Sequence, residues 1–112
     1  MKIAFTAKGT GWDSAIDPRL GRTEYILLYD EDKDTLSAID NRDIEGVAHG
    51  AGTKTAQLLY EMNPDILITG NGPGNNAASV LKQTSMKIYV GAGDMTAKSA
   101  YDAYKKNELK EF

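Results

Sequence analysis

The chain has 112 residues, of which 41% are hydrophobic and 26% are charged, and this is typical of one soluble globular domain. We therefore predict a single domain over residues 1–112. The net charge of −3, with lysines scattered along the chain, argues against a nucleic-acid partner. The chain has no cysteine, which excludes disulfides, thiolate nucleophiles and cysteine-ligated metal sites.

The apolar runs of the chain are short. Residues 26–28 and 66–68 are examples, and they fall far below the roughly 20 residues that span a bilayer. The amino-terminal stretch MKIAFTAKGTGW lacks the apolar segment of about 7–15 residues that a secretory signal needs. We expect a cytoplasmic protein with no membrane segment.

The first part of the chain predicts strands. Residues 2–7 alternate apolar side chains and lead into a glycine-rich loop from Gly9 to about Thr23, a length that is often functional. Residues 24–29 and 35–39 are rich in β-branched and aromatic side chains and flank a polar turn, so they predict a β-hairpin.

Helices and strands alternate through the rest of the chain. Asn63 and Pro64 end the first predicted helix, and Asp94 is the predicted N-cap of the last one. In chain order the sequence predicts a helix at 50–62, a strand at 65–69, a helix from 75 to about 83, a strand at 87–90 and a helix at 95–106.

These elements predict an α/β fold with a five-stranded mixed sheet, one antiparallel strand and about three helices. Such a sheet is similar to the ribonuclease H-like arrangement. Glycine-rich loops follow three of the strands, where open α/β sheets bind ligands and where helix N-termini present N–H groups to anions. We expect these loops to converge on one edge of the sheet.

The stretch HGAGTKT at residues 49–55 holds the only histidine and is similar to part of a phosphate-binding loop. The spacing fails, because Thr53 and Ala48 stand where that motif requires glycines before Lys54. Three interpretations of His49 stay open: a helix-start residue, a pH-sensitive surface residue, or a ligand of a metal or an anionic cofactor. Arg22 and Lys54 would add positive charge at the same end of the molecule.

Two enzyme readings are weak. Residues 70–74 imitate a dinucleotide-binding loop, but Asn75 replaces the required small residue and Pro73 removes an N–H donor, so a tight turn is an equally good reading. A two-metal nuclease needs carboxylates on the central strands, and residues 2–7 contain none. With one histidine, no cysteine and no G-x-S-x-G motif, we expect a protein that is not an enzyme.

Three stretches in order, LGRTEY at 20–25, HGAGTKTAQLL at 49–59 and DILITGNGPGNNA at 65–77, together resemble the dinitrogenase iron-molybdenum cofactor biosynthesis family. The resemblance continues through KIYVGAG at 87–93 and AYK at 103–105. It implies a small α/β protein with a ribonuclease H-like motif and no nuclease activity. Such a protein binds, carries or inserts an iron-molybdenum cofactor or a related molybdenum- or iron–sulfur cluster, and a cofactor-assembly or recipient protein is an implied partner.

The resemblance also implies a site. His49 is the candidate metal ligand, and Lys54 is added for its charge. Two departures from the family are Leu20, where an aromatic residue is frequent, and the absence of cysteine, so a bound cluster must bring its own sulfide. The full set of candidate cofactor-binding residues is Gly21, Arg22, His49, Gly50, Gly52, Thr53, Lys54, Asn71, Gly72, Gly74 and Asn75.

The leading hypothesis is therefore a non-catalytic carrier of an anionic metal–sulfur cluster. The alternative is an enzyme or sensor that binds a small anion or nucleotide in the same glycine-rich loops. A third hypothesis, a partner-docking module without a ligand, would be favoured if Trp12, Tyr25 and Tyr29 formed one exposed patch.

Overall fold

The computed structural model describes residues 1–42 and 51–112, and it describes residues 51–53 and 76 by their backbone alone. Among the described residues, none of the helices has the length and apolar character needed to cross a membrane. The elements in chain order are β1 (Lys2–Ala7), β2 (Tyr25–Asp30), β3 (Thr35–Asp40), α1 (Ala51–Met62), β4 (Ile66–Ile68), α2 (Asn75–Leu81), β5 (Lys87–Val90), α3 (Ala97–Lys105) and β6 (Lys110–Glu111).

The strands form one mixed sheet in the order β3-β2-β1-β4-β5-β6. β1 pairs in parallel with β4, and β4 with β5, whereas β2 and β6 run opposite to their neighbours. Over residues 1–42 and 51–112, the predicted α/β fold with a mixed sheet and about three helices is confirmed. The predicted five strands with one antiparallel strand are wrong, because β6 adds a sixth strand and a second antiparallel one.

β6 escapes sequence analysis for a physical reason. Its two residues, Lys110 and Glu111, are charged and exposed, so they carry no apolar alternation. The strand exists because its backbone pairs with Tyr89 and Val90 at the edge of β5. The backbone N–H of Phe112 extends this pairing by donating to the Ile88 carbonyl at 2.7 Å.

Helices cover both faces of the sheet. Ile3 and Phe5 of β1 pack with Ala100 of α3 on one face. Ala4 points to the opposite face, as alternation along a strand requires, and packs with Leu59 of α1 and Leu81 of α2. Five of the six residues of β1 are buried, so this strand lies at the centre of the protein.

Helix α3 begins two residues later than predicted from Asp94. Thr96 is the N-cap, and its side-chain oxygen accepts from the Ser99 N–H at 3.2 Å. The Met95 N–H instead donates to the Ala92 carbonyl at 3.0 Å, so Asp94 lies inside a turn that precedes the helix. The hydrogen bond to the Thr96 hydroxyl therefore marks the residue where α3 begins.

An aromatic cluster joins the loop after β1 to α3. The Trp12 ring lies 4.9 Å from the Tyr29 ring and 5.7 Å from the Tyr101 ring, measured between centroids. Tyr25 contacts the Arg42 guanidinium instead, at 5.3 Å. Trp12, Tyr25 and Tyr29 are all half-buried, so they do not form the exposed patch that would favour the docking hypothesis.

Two tyrosines of the cluster bind carboxylates of the β2–β3 turn. The Tyr29 hydroxyl donates to Asp34 Oδ1 at 2.7 Å, and this hydrogen bond, with desolvation, raises the pKa of Tyr29 to about 12. The Tyr101 hydroxyl donates to Glu31 Oε2 at 2.5 Å, and burial followed by this bond raises the pKa of Tyr101 to about 12. Lys105 Nζ lies 2.8 Å from the same Glu31 oxygen.

These pKa values predict a loss of stability at high pH. The fold favours the neutral phenols, so their stabilisation is complete below the ordinary pKa of about 10 and is lost as the pH rises to about 12. We expect Asp34→Asn to lower the pKa of Tyr29, measured by tyrosinate absorbance, because it removes the charged acceptor. Asp32→Asn is the matched control, and an equal change in both variants would contradict the assignment.

Candidate functional site

The loops that follow β1, β4 and β5 meet at Gly70. A Cβ atom on Gly70 would lie 2.6 Å from the Pro18 Cα and 3.1 Å from the Gly93 Cα, which is too close for any side chain. The Asn71 N–H donates to the Pro18 carbonyl at 2.9 Å, and the Gly91 N–H donates to the Gly70 carbonyl at 2.9 Å. The expected convergence of the three loops is therefore confirmed.

Buried threonine hydroxyls hold the first two of these loops together. The Thr6 hydroxyl donates to the Asp17 carbonyl at 2.7 Å, and it also contacts the Thr69 hydroxyl at 2.7 Å. A hydroxyl has one proton, so the Thr69 hydroxyl is the donor to Thr6. Thr6 and Thr69 are fully buried, so this chain of bonds fixes the ends of β1 and β4 relative to Asp17.

The carboxylate of Asp17 organises the loop after β1 from within. It is fully buried and accepts from the Arg19 N–H at 3.0 Å and from the Glu24 N–H at 3.3 Å. Arg19 Nε also lies 3.3 Å from Asp17 Oδ1. Asp17 is therefore a structural carboxylate, and the long loop is held by hydrogen bonds along its course.

Arg22 lies between two backbone groups that are held from outside the loop. The Thr55 hydroxyl of α1 donates to the Gly21 carbonyl at 2.9 Å, and Asn41 Nδ2 donates to the Thr23 carbonyl at 3.0 Å. Leu20, just before this turn, is buried in the core cluster that contains residues of α1 and α2. The turn at 20–23 is thus anchored next to both helices.

The loop before α2 leaves space on its outer side. A Cβ atom on Gly74, the N-cap of α2, would meet nothing within 4 Å. Asn71 and Asn75 are exposed. On the other side of the loop, the Phe112 ring packs directly against Gly72. A ligand can therefore approach the backbone around Gly74.

Helix α3 differs from α2 in this respect. The Ala97 N–H donates to the Ser14 carbonyl and the Lys98 N–H to the Trp12 carbonyl, each at 2.9 Å. The first N–H groups of α3 are thus already bound by the loop after β1. The expectation that the helix after each glycine loop offers N–H groups to an anion is wrong for α3, and the candidate site narrows to the side of α1 and α2.

The structure locates part of the predicted set. Arg22 and Lys54 are described, and Lys54 is exposed on α1. Gly52 and Thr53 are described as helical backbone only, and His49 and Gly50 lie outside the described residues. The members on described loops and turns are Gly21, Arg22, Asn71, Gly72 and Gly74, and Asn75 is the first residue of α2.

The side chains and backbone groups of the candidate site favour one kind of ligand. Over residues 1–42 and 51–112, no three His, Cys, Asp or Glu side chains come together in a group that could hold a metal ion. The candidate site offers backbone N–H groups, amides and an arginine, which suit an anion that carries its own metal ligands.

A cavity of about 360 Å³ lies elsewhere, between α2 and the edge formed by β5 and β6. Leu81, Met86, Ile88 and Phe112 give it an apolar lining. It touches the candidate loops through the Phe112 ring on Gly72. Sequence analysis misses this cavity because β6 forms one of its walls.

Comparisons with known proteins identify the family of the chain. The model of the family described as dinitrogenase iron-molybdenum cofactor matches residues 1–107. The chain belongs to this family. The similarity extends almost to the end of the chain, so it includes all three glycine loops of the candidate site.

Two solved structures are similar to this fold. The apo form of the orange protein from Desulfovibrio gigas is 28% identical, with a TM-score of 0.91 over 99% of this chain and 92% of that chain. A putative NifB protein from Thermotoga, described as a DUF35 family member, is 30% identical, with a TM-score of 0.81 over 98% of this chain and 91% of that chain. No protein with a curated description matches.

The contact at Gly70 gives a mutational prediction. Gly70→Ala should lower the free energy of unfolding by about 1–3 kcal/mol, because the new methyl group meets the Pro18 backbone rather than a flexible side chain. Gly93→Ala is the matched control at the same junction, since its Cβ would lie 3.7 Å from the nearest atom. Chemical denaturation measures both, and equal effects would show that the close contact does not constrain the loops.

Proposed function

We propose that this protein carries an anionic molybdenum- or iron–sulfur cluster as cargo and does not catalyse a reaction. The proposal rests on one observation above all. The Thr55 hydroxyl of α1 donates to the Gly21 carbonyl beside Arg22, and the Asn71 N–H of the loop before α2 donates to the Pro18 carbonyl of the same first loop, within a family described by the iron-molybdenum cofactor.

The chemistry of the site supports an anionic cargo. A Cβ atom on Gly74 would meet nothing within 4 Å, so a ligand can reach the backbone of the loop before α2. The guanidinium of Arg22 supplies a permanent positive charge with several donors. The amides of Asn71 and Asn75 add neutral donors at the same loop.

The cargo in this proposal brings its own sulfide. The chain has no cysteine, so no protein thiolate can anchor iron or molybdenum. His49 is the proposed ligand of a metal in the cluster, through a neutral imidazole nitrogen. Lys54 and the backbone of Gly50, Gly52 and Thr53 complete the proposed binding surface at the start of α1.

The proposal also includes a protein partner and the arrangement of the sheet. We propose that a cofactor-assembly or recipient protein exchanges the cluster with residues 1–112 acting as one carrier domain. The sheet is proposed to follow a ribonuclease H-like arrangement without its chemistry. All of β1 is free of the carboxylates that two-metal catalysis needs.

Anaerobic binding of tetrathiomolybdate, alone and with an iron(II) salt, tests the proposal. We expect new visible absorption with the wild-type protein. Arg22→Gln should weaken binding roughly 10- to 100-fold, because a hydrogen bond to a charged group is lost, and His49→Ala should weaken it too. Lys106→Gln, at the far end of α3, is the control for the loss of one charge.

Two results would contradict this function. One is the absence of any absorption change, or binding that Arg22→Gln and His49→Ala leave unaltered. The other is thermal stabilisation by a nucleotide or sugar phosphate and none by tetrathiomolybdate, which would favour an enzyme or sensor that uses the same loops.

A further inference from the structure

Two buried side chains outside the glycine loops form hydrogen bonds with the backbone on both sides of Arg22. The Thr55 hydroxyl donates to the carbonyl of Gly21, and the Asn41 amide donates to the carbonyl of Thr23. Asn41 Nδ2 also donates to Thr55 Oγ1 at 3.2 Å. The three bonds form one continuous network around the peptide groups that flank the arginine.

The direction of each bond in this network is settled by chemistry. The single proton of the Thr55 hydroxyl goes to the Gly21 carbonyl, so its lone pair accepts from Asn41. Asn41 is 3% exposed and Thr55 is fully buried, so water does not compete for these bonds. The Asn41 backbone N–H donates to the Glu24 carbonyl at 2.9 Å, which ties the network to the sheet.

The network joins three separate parts of the chain. Asn41 directly follows β3, Thr55 lies on α1, and residues 21–23 belong to the loop after β1. The Thr23 hydroxyl adds a bond to the Tyr25 carbonyl at 2.8 Å. The backbone on both sides of Arg22 is therefore held by hydrogen bonds and has little conformational freedom.

We propose that Asn41 and Thr55 are positioning residues that hold Arg22 in place for the anionic cargo. This inference rests on the proposed function and adds two residues to it that touch the backbone beside Arg22 rather than the cargo. A backbone fixed before binding lowers the entropic cost of ordering the guanidinium on an anion. Sequence analysis gives no sign of this role, because the partners meet only in the fold.

The main experiment is a double-mutant cycle on tetrathiomolybdate affinity. Thr55→Val should weaken binding roughly 5- to 10-fold, and Thr55→Ser, which keeps the hydroxyl, should stay within about twofold of wild type. In an Arg22→Gln background, Thr55→Val should have almost no further effect if Thr55 acts through the arginine. Effects that multiply independently would overturn the inference.

Further variants separate positioning from general stability. Thr84→Val removes a threonine bond to the Leu81 carbonyl at the far end of α2 and should leave affinity unchanged. Asn41→Ser removes the amide that donates to the Thr23 carbonyl but leaves the bond from Thr55 to the Gly21 carbonyl in place. This variant tests the network if Thr55→Val does not fold. Loss of affinity in proportion to the unfolding midpoint across all variants, Thr84→Val included, would show a merely structural role.

A measurement without cargo distinguishes this inference from the proposed function. The heteronuclear ¹⁵N relaxation of the Arg22 amide should show an ordered backbone in wild type and in Thr55→Ser, and a more mobile one in Thr55→Val and Asn41→Ser. Unchanged relaxation in all variants would overturn the positioning role. Failure of the wild-type protein to bind tetrathiomolybdate, with the expected relaxation changes present, would overturn only the cargo assignment.

Discussion

The candidate site depends on the close approach of three backbone segments at Gly70. The Pro18 and Gly93 backbones occupy the space where a side chain of Gly70 would lie. Because the contact is between main chains, the loops after β1, β4 and β5 cannot shift independently. The parallel pairing of β1 with β4 and of β4 with β5 delivers all three loops to the same edge of the sheet.

Buried polar groups turn this contact into a defined surface. Asp17, Thr6 and Thr69 hold the middle of the first loop, whereas Asn41 and Thr55 hold residues 21–23 near its end. Every buried side-chain nitrogen or oxygen in the described part of the chain has a hydrogen-bond partner. A surface fixed in this way would order the proposed cargo at low entropic cost.

Sequence patterns predicted what depends on local order. The apolar run at Ile66–Ile68 and the turn between β2 and β3 identified their elements, and glycine placement predicted the convergence of the loops. Long-range contacts were not predictable. The Thr6 and Thr69 hydroxyls are 63 residues apart in the chain, Thr55 and Gly21 are 34 apart, and β6 exists only through the exposed edge of β5.

A titration of ¹⁵N-labelled protein with tetrathiomolybdate, followed by amide chemical shifts, tests the location of the proposed cargo. We expect the largest shifts on residues 21–23, on residues 49–54 and on residues 70–76. Shifts concentrated instead on the cavity lined by Leu81, Met86 and Ile88, or no shifts at all, would contradict it.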